Sequence, residues 1–170
     1  MALKQKTAPY AGTEIPPERS RQLIDKLLRR YGVDAVVWSE VWAKNRVLLE
    51  FVVQLDDGRA VKVRLEPPAF AAKRKSYNST TGHYELVDAP NWAQSYRLLY
   101  YYLKTKLESV VYGLRDIEEE FLSDLVVRDK TGRETTVGEI ARAQLASGEL
   151  RPAIEGPREP VDAEFQGVGA

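Results

Sequence analysis

The sequence predicts an α+β fold: an N-terminal helix, a three-stranded antiparallel meander, a long amphipathic helix, and a small C-terminal β-hairpin with a short helix. Three observations carry this reading. Ile24, Leu27, Leu28 and Tyr31 recur at helical spacing behind a proline pair. Period-two alternation flanks an Asp57-Gly58 turn signal. Trp92, Tyr96, Leu99, Leu103, Leu107, Val110 and Leu114 follow one another at steps of three and four, which holds them on one helical face.

Taken in order, residues 1–15 show no periodicity and read as a flexible arm. Pro16-Pro17 opens the first helix, where a missing N–H leaves nothing unpaired, and Gly32 closes it with left-handed backbone. Val33 to Ala43 reads as a strand, with Val36, Trp38 and Trp42 on one face and Val37 and Val41 on the other. Lys44-Asn45 then supplies a two-residue turn. Arg46 to Leu55 puts Val47, Leu49, Phe51, Val53 and Leu55 on one side. Asp57-Gly58 predicts a type I′ hairpin, because both residues tolerate positive φ. In the third strand, Arg59 to Glu66, Val61, Val63 and Leu65 oppose Lys62 and Arg64, and Pro67-Pro68 ends it. A sheet apolar on both faces needs two covers, so the long helix is expected on one side. The C-terminal segment or a second chain is expected on the other.

Ala69 to Ala89 shows no clear period, which predicts a long loop over 67–90. Asp88 or Asn91 then caps the long helix, and Gly113 weakens its end. Asp116 to Asp124 reads as a second helical stretch with Glu118, Glu119 and Glu120 near its N-terminus, where the helix dipole favours acids. Leu125–Val127 and Glu134–Thr136 flank Asp129–Gly132 as a small hairpin. Thr136 and Glu139 have capping-box spacing before a short helix that stops near Gly148. A single domain over 16–147 follows, and the prolines, glycines and acids of 148–170 predict a disordered tail.

Composition narrows the chemistry. The 170 residues include no cysteine, which excludes disulfides, thiolate metal sites and cysteine nucleophiles. The single histidine, His83, excludes multi-histidine metal sites, and no nucleophile elbow accompanies it. Glu118, Glu119 and Glu120 are consecutive, so they fan around a helix and cannot converge on one ion. Lys62 follows Ala60, against the acid-x-lysine strand pattern of restriction-type nucleases, and no phosphate-binding glycine loop is present. No enzymatic activity and no cofactor are expected. No apolar run reaches transmembrane length and none follows the N-terminal lysines, so a cytoplasmic protein without membrane attachment is expected.

The 25 basic residues match the 25 acidic ones, yet they are unevenly placed. Residues 1–106 hold 18 basic and 11 acidic side chains, and residues 107–170 hold 7 and 14. The basic half also mixes cations with tyrosines. Lys73, Arg74, Lys75 and Tyr77 share the predicted loop, while Gln94, Arg97, Tyr101 and Lys104 line one face of the long helix. Lysine and arginine neutralise phosphate, and unstacked bases gain from flat aromatic partners. Lys73, Arg74, Lys75, Tyr77, Arg97, Tyr101 and Lys104 are therefore the candidate nucleic-acid-binding residues, for DNA or RNA. Lys62, Arg64 and the arginines of the first helix are expected to extend them into one basic surface. The alternative reading is a protein-interaction module, a homodimer or a regulator of a host or phage protein, using the acidic 116–124 stretch and exposed tyrosines.

The order helix, three antiparallel strands, helix resembles double-stranded RNA-binding domains in topology alone. Their lysine cluster opens the last helix, whereas Lys73-Arg74-Lys75 precedes it here. A second resemblance rests on Glu14-Ile-Pro-Pro-Glu-Arg-Ser-Arg21, Asn45-Arg46, the segment Lys104 to Val111, Glu118-Glu-Glu-Phe-Leu122 and Thr136-Val-Gly-Glu139. Over most of 13–146 the chain resembles a family of small uncharacterised proteins of phages, prophages and related mobile elements. Lys73 to Tyr84 reads as an insertion relative to its shorter members. The resemblance implies a genomic setting beside replication, recombination or host takeover, without assigning an activity.

Overall fold

The computed structural model describes residues 9–151. The first eight residues of the predicted arm and residues 152–170 of the predicted tail lie outside the described residues.

Helix α1 spans Pro17–Arg30 behind extended Pro16, and it buries Ile24, Leu27 and Leu28. Gly32, at φ +78°, turns the chain so that the Val33 N–H donates to the Leu28 carbonyl at 3.1 Å. Strands β1 (Ala35–Val41), β2 (Arg46–Gln54) and β3 (Ala60–Leu65) form an antiparallel sheet in that order. The register sets Val36 beside Phe51 and Phe51 beside Val63, with Trp38, Leu49 and Leu65 in the next row. All six therefore share one face.

Both turns of the meander differ from expectation. The first strand ends at Val41, and Trp42–Lys44 make a 3₁₀ turn that Asn45 closes at φ +48°. Trp42 thereby leaves the Trp38 face: it is 82% exposed, and its indole N–H donates to Glu40 at 3.0 Å. At the second turn, Gly58 has φ +84° and Asp57 does not have positive φ. The Leu55 N–H donates to the Arg59 carbonyl at 2.7 Å, so the hairpin uses a three-residue loop in place of the type I′ turn.

The largest correction concerns the predicted loop at 67–90. The chain forms a second antiparallel ribbon, β4 (Ala71–Asn78) and β5 (His83–Pro90), which pair only with each other. Asn78 organises its tip: the side-chain oxygen accepts from the Thr80 and Thr81 N–H groups, and Gly82 turns at φ +71°. Apolar alternation marks a strand when one face is buried and the other is wet. Most side chains of both faces of this ribbon are exposed, so that signal is missing.

Helix α2 runs from Trp92 to Val111, and the Asn91 side chain accepts from the Gln94 N–H as its cap. Tyr96, Leu99, Leu103 and Leu107 are buried against α1 and the sheet. Leu114 falls beyond the helix, past Gly113 at φ +70°, and is 77% exposed. The 116–124 stretch is a single turn, α3 (Ile117–Glu120), then a 3₁₀ turn over Leu122–Asp124. Between them Phe121 drops fully into the core, edge-on to Phe51 at 5.8 Å. Strands β6 (Val126–Arg128) and β7 (Glu134–Thr136) form the small hairpin, tied to β3 through a Val63–Leu125 bridge. Helix α4 (Val137–Ser147) starts with a complete capping box from Thr136 and Glu139. No helix among the described residues is long and apolar enough to cross a membrane.

Gly138 marks a close approach of α4 to the 3₁₀ turn. A Cβ there would lie 2.8 Å from the Ser123 carbonyl oxygen. Gly138→Ala should therefore destabilise the protein by about 1–3 kcal/mol through overpacking, although alanine favours helix. Urea denaturation checks this, and an unchanged midpoint would refute the contact.

Candidate nucleic-acid interface

Strand geometry divides the Lys73-Arg74-Lys75 run. Lys73, Lys75 and Tyr77 point to one face of the ribbon, across from Asp88, Leu86 and Tyr84. Arg74 points to the other, across from Val87. The Lys73 ammonium meets the Asp88 carboxylate at 2.7 Å, an exposed pair of small energetic weight. Among the described residues Arg74 and Lys75 have no carboxylate within 4.0 Å. Tyr77 and Tyr84 touch edge to face at 5.3 Å while remaining 58% and 73% exposed. Both ribbon faces thus offer a cation, and one adds two aromatic rings.

The ribbon is rooted at the start of α2. The Asn91 N–H donates to the Phe70 carbonyl at 2.7 Å, and the Ser95 hydroxyl donates to the Pro68 carbonyl at 2.6 Å. One to three turns along α2 lie Arg97, Tyr101 and Lys104. The Arg97 guanidinium donates to the Tyr101 hydroxyl at 2.8 Å and lies over the Tyr101 ring at 4.8 Å and the Tyr100 ring at 5.5 Å. Lys104 is shared with Glu108, one turn on, at 3.6 Å.

This helix face is partly covered from a direction that the sequence does not announce. The Tyr10 ring stacks on Tyr101, centroids 5.1 Å apart and planes 13° from parallel. Gln94, the predicted first member of the polar face, is buried and donates to the Pro9 carbonyl at 2.7 Å. The final residues of the predicted arm are thus docked on α2. An isolated Tyr10 in a stretch without apolar periodicity gives no signal by which to foresee the contact.

The expected continuous basic surface is absent where the sheet was to extend it. Lys62 and Arg64 face a carboxylate pair: Lys62 lies 2.5 Å from Glu134 and 3.7 Å from Glu50, and Arg64 lies 3.1 Å and 2.8 Å from the same two. The bond from Lys62 holds the Glu134 carboxyl below its ordinary value. Through Glu134 the C-terminal hairpin reaches onto the sheet's outer face, where Val37 and Val41 stay exposed. Of the α1 arginines, Arg21 pairs with Glu40 at 3.1 Å and lies over Trp38 at 4.9 Å, whereas Arg19, Arg29 and Arg30 have no carboxylate within 4.0 Å among the described residues.

Lys106 is also withdrawn. Its ammonium donates to the Glu120 carbonyl, lies 3.6 Å and 3.7 Å from the Glu120 and Asp124 carboxylates, and covers the Tyr102 and Phe121 rings. Burial, reinforced by the Asp124 charge, pushes the Tyr102 phenol up and keeps it protonated. The cluster staples the 116–124 stretch to α2. Glu118 instead takes Arg59 at 2.9 Å, and Glu119 is exposed, so the three consecutive acids diverge as their spacing requires.

A cleft of about 770 Å³ lies at the far end of α2, lined by Val53, Leu55, Leu107, Val110, Ile117 and neighbours. None of the seven candidate residues lines it. Comparison with known proteins adds nothing further: no family model, curated protein or solved structure matches the chain.

Because Lys62 is held between two carboxylates on a half-buried face, unlike the single exposed pairs of Lys73 and Lys104, Lys62→Ala should leave retention on heparin within about 10% of the wild-type elution salt. Earlier elution, matching loss of a free lysine, would contradict this pairing.

Proposed function

We propose that the protein is a non-enzymatic accessory factor of a phage or mobile element that binds nucleic acid through the β4–β5 ribbon and the adjoining face of α2. The observation that carries this reading is the ribbon itself. Eight-residue strands stand paired only with each other and display Arg74, Lys75, Tyr77 and Tyr84 to solvent. A two-stranded ribbon alone is marginally stable in water, so one left with exposed cations and rings is suited to a ligand that orders it. Phosphates pair with Arg74, Lys75 and Arg97, bases stack on Tyr77 and Tyr101, and Lys73 and Lys104 exchange carboxylate partners for phosphate. The phage-type resemblance of the flanking segments gives this reading its setting.

A second reading has its own support. Val111 and Leu114 line the cleft while 63% and 77% exposed, and Tyr112 at the end of α2 and Leu122 are 78% and 55% exposed. An apolar patch of this kind beside acidic residues suits a protein partner or a second copy. Light scattering after size exclusion would support it with a mass of twice 19.2 kDa, and a monomer mass across the micromolar range would remove the homodimer form.

The nucleic-acid reading is tested by fluorescence anisotropy with single- and double-stranded DNA and RNA at low salt and at about 0.15 M. Binding should weaken steeply with salt. The double variant Arg74→Ala, Lys75→Ala should weaken it and flatten the log–log salt slope by about 1.4, from about 0.7 per phosphate contact on a single strand. An unchanged slope would remove the ribbon from the interface, and no binding at low salt would overturn the reading.

A further inference from the structure

We infer that the outer ring face of Tyr101, with Arg97 beside it, is a subsite for one unpaired base and its adjacent phosphate in a single-stranded nucleic acid, and that Tyr10 fills this subsite in the absence of ligand. The inference rests on the nucleic-acid reading above and narrows its ligand to unpaired strand.

Four features converge on it. The Tyr10 and Tyr101 rings are stacked at 13°, the arrangement that a base adopts on an aromatic platform. Every base has such a face, whereas a paired base in a duplex has its faces covered by its neighbours. Tyr10 holds this position at φ +59°, a left-handed conformation that disfavours a bulky residue, and the Thr13 N–H closes a turn onto its carbonyl at 3.0 Å. A ligand base that takes its place releases that backbone while keeping the stacking contact. Arg97 is the third feature. Its hydrogen bond to the Tyr101 hydroxyl aligns the guanidinium alongside the platform. Among the described residues it has no carboxylate within 4.0 Å, so its charge is available to a phosphate. Finally, the segment is held by exchangeable contacts: Gln94 on the Pro9 carbonyl and a long 3.5 Å contact of Asn91 on the Ala11 carbonyl.

The stack is therefore a competition, with the same platform serving the chain's own tyrosine or a base. Replacing Tyr10 separates this from a merely structural contact. Tyr10→Gly removes the ring and suits the positive φ, so the turn itself is retained. Its affinity for fluorescein-labelled dT10 should rise about threefold or more, because the competitor is gone. Tyr101→Ala should lower it about tenfold, the usual scale for loss of one base-stacking partner, and Tyr101→Phe should restore most of it. Circular dichroism melts of each variant establish that it is folded. A duplex of the same length should be indifferent to Tyr10→Gly.

An affinity for dT10 that is unchanged or reduced in Tyr10→Gly would overturn the inference, as would an unaffected folded Tyr101→Ala. If those variants do nothing while Arg74→Ala, Lys75→Ala weakens binding, the subsite falls and the ribbon reading stands. If neither the wild type nor Tyr10→Gly binds any oligomer at low salt, both fall.

Discussion

Burial of Tyr96, Leu99, Leu103 and Leu107 forces α2 to lie against α1 and the sheet, and this fixes which of its side chains face outward. Each such side chain is worth about 1.5–3 kcal/mol when removed from water, whereas an exposed ion pair is worth about 0–1. The apolar stripe therefore decides the orientation of the helix, and the ion pairs accommodate to it. Arg97 and Tyr101 face outward because Tyr96 and Leu99 face inward. The same helix anchors the ribbon at its N-terminal end through Asn91 and Ser95. At its C-terminal end it leaves a cleft, because the chain turns away at Gly113 before Phe121 returns to the core.

Charge is distributed by the same logic. The net charge of zero conceals a sheet and core rim whose cations are matched: Arg21, Arg46, Arg59, Lys62, Arg64 and Lys106 each meet a carboxylate. Arg74, Lys75 and Arg97, on the ribbon and α2, have no carboxylate within 4.0 Å among the described residues, and neither do Arg19, Lys26, Arg29 and Arg30 of α1 or Arg128, Lys130 and Arg142 nearer the C-terminus. A count along the chain places the basic excess in the first 106 residues, but only pairing in space shows which of those cations are uncompensated.

Most of the fold was legible in the sequence because burial imprints a period. The stripe on α2, the alternation of β2 and β3, and the capping box at Thr136–Glu139 each follow from a face or an end that must be satisfied. Where the ribbon stands in water on both sides, no period is imposed, and its strands pass for loop. The turns at Asn45 and Gly58 were located correctly, yet their geometry depends on backbone angles that residue type alone leaves open. Of the seven candidate side chains, the sequence grouped them as two sets, and the structure retains that grouping while splitting Arg74 from its lysine neighbours. The Tyr10 contact depends on a long-range return of the chain that carries no local signal.

The central claim is that the ribbon and the outward face of α2 together form a surface for single-stranded nucleic acid. Photocrosslinking with an oligonucleotide containing 5-bromodeoxyuridine, followed by peptide mapping, tests it most directly. Adducts are expected on Tyr77 or Tyr84 of the ribbon and on Tyr101 of the helix. Adducts confined to α1, to α4 or to Tyr112 at the end of α2, with none between residues 71 and 104, would contradict it.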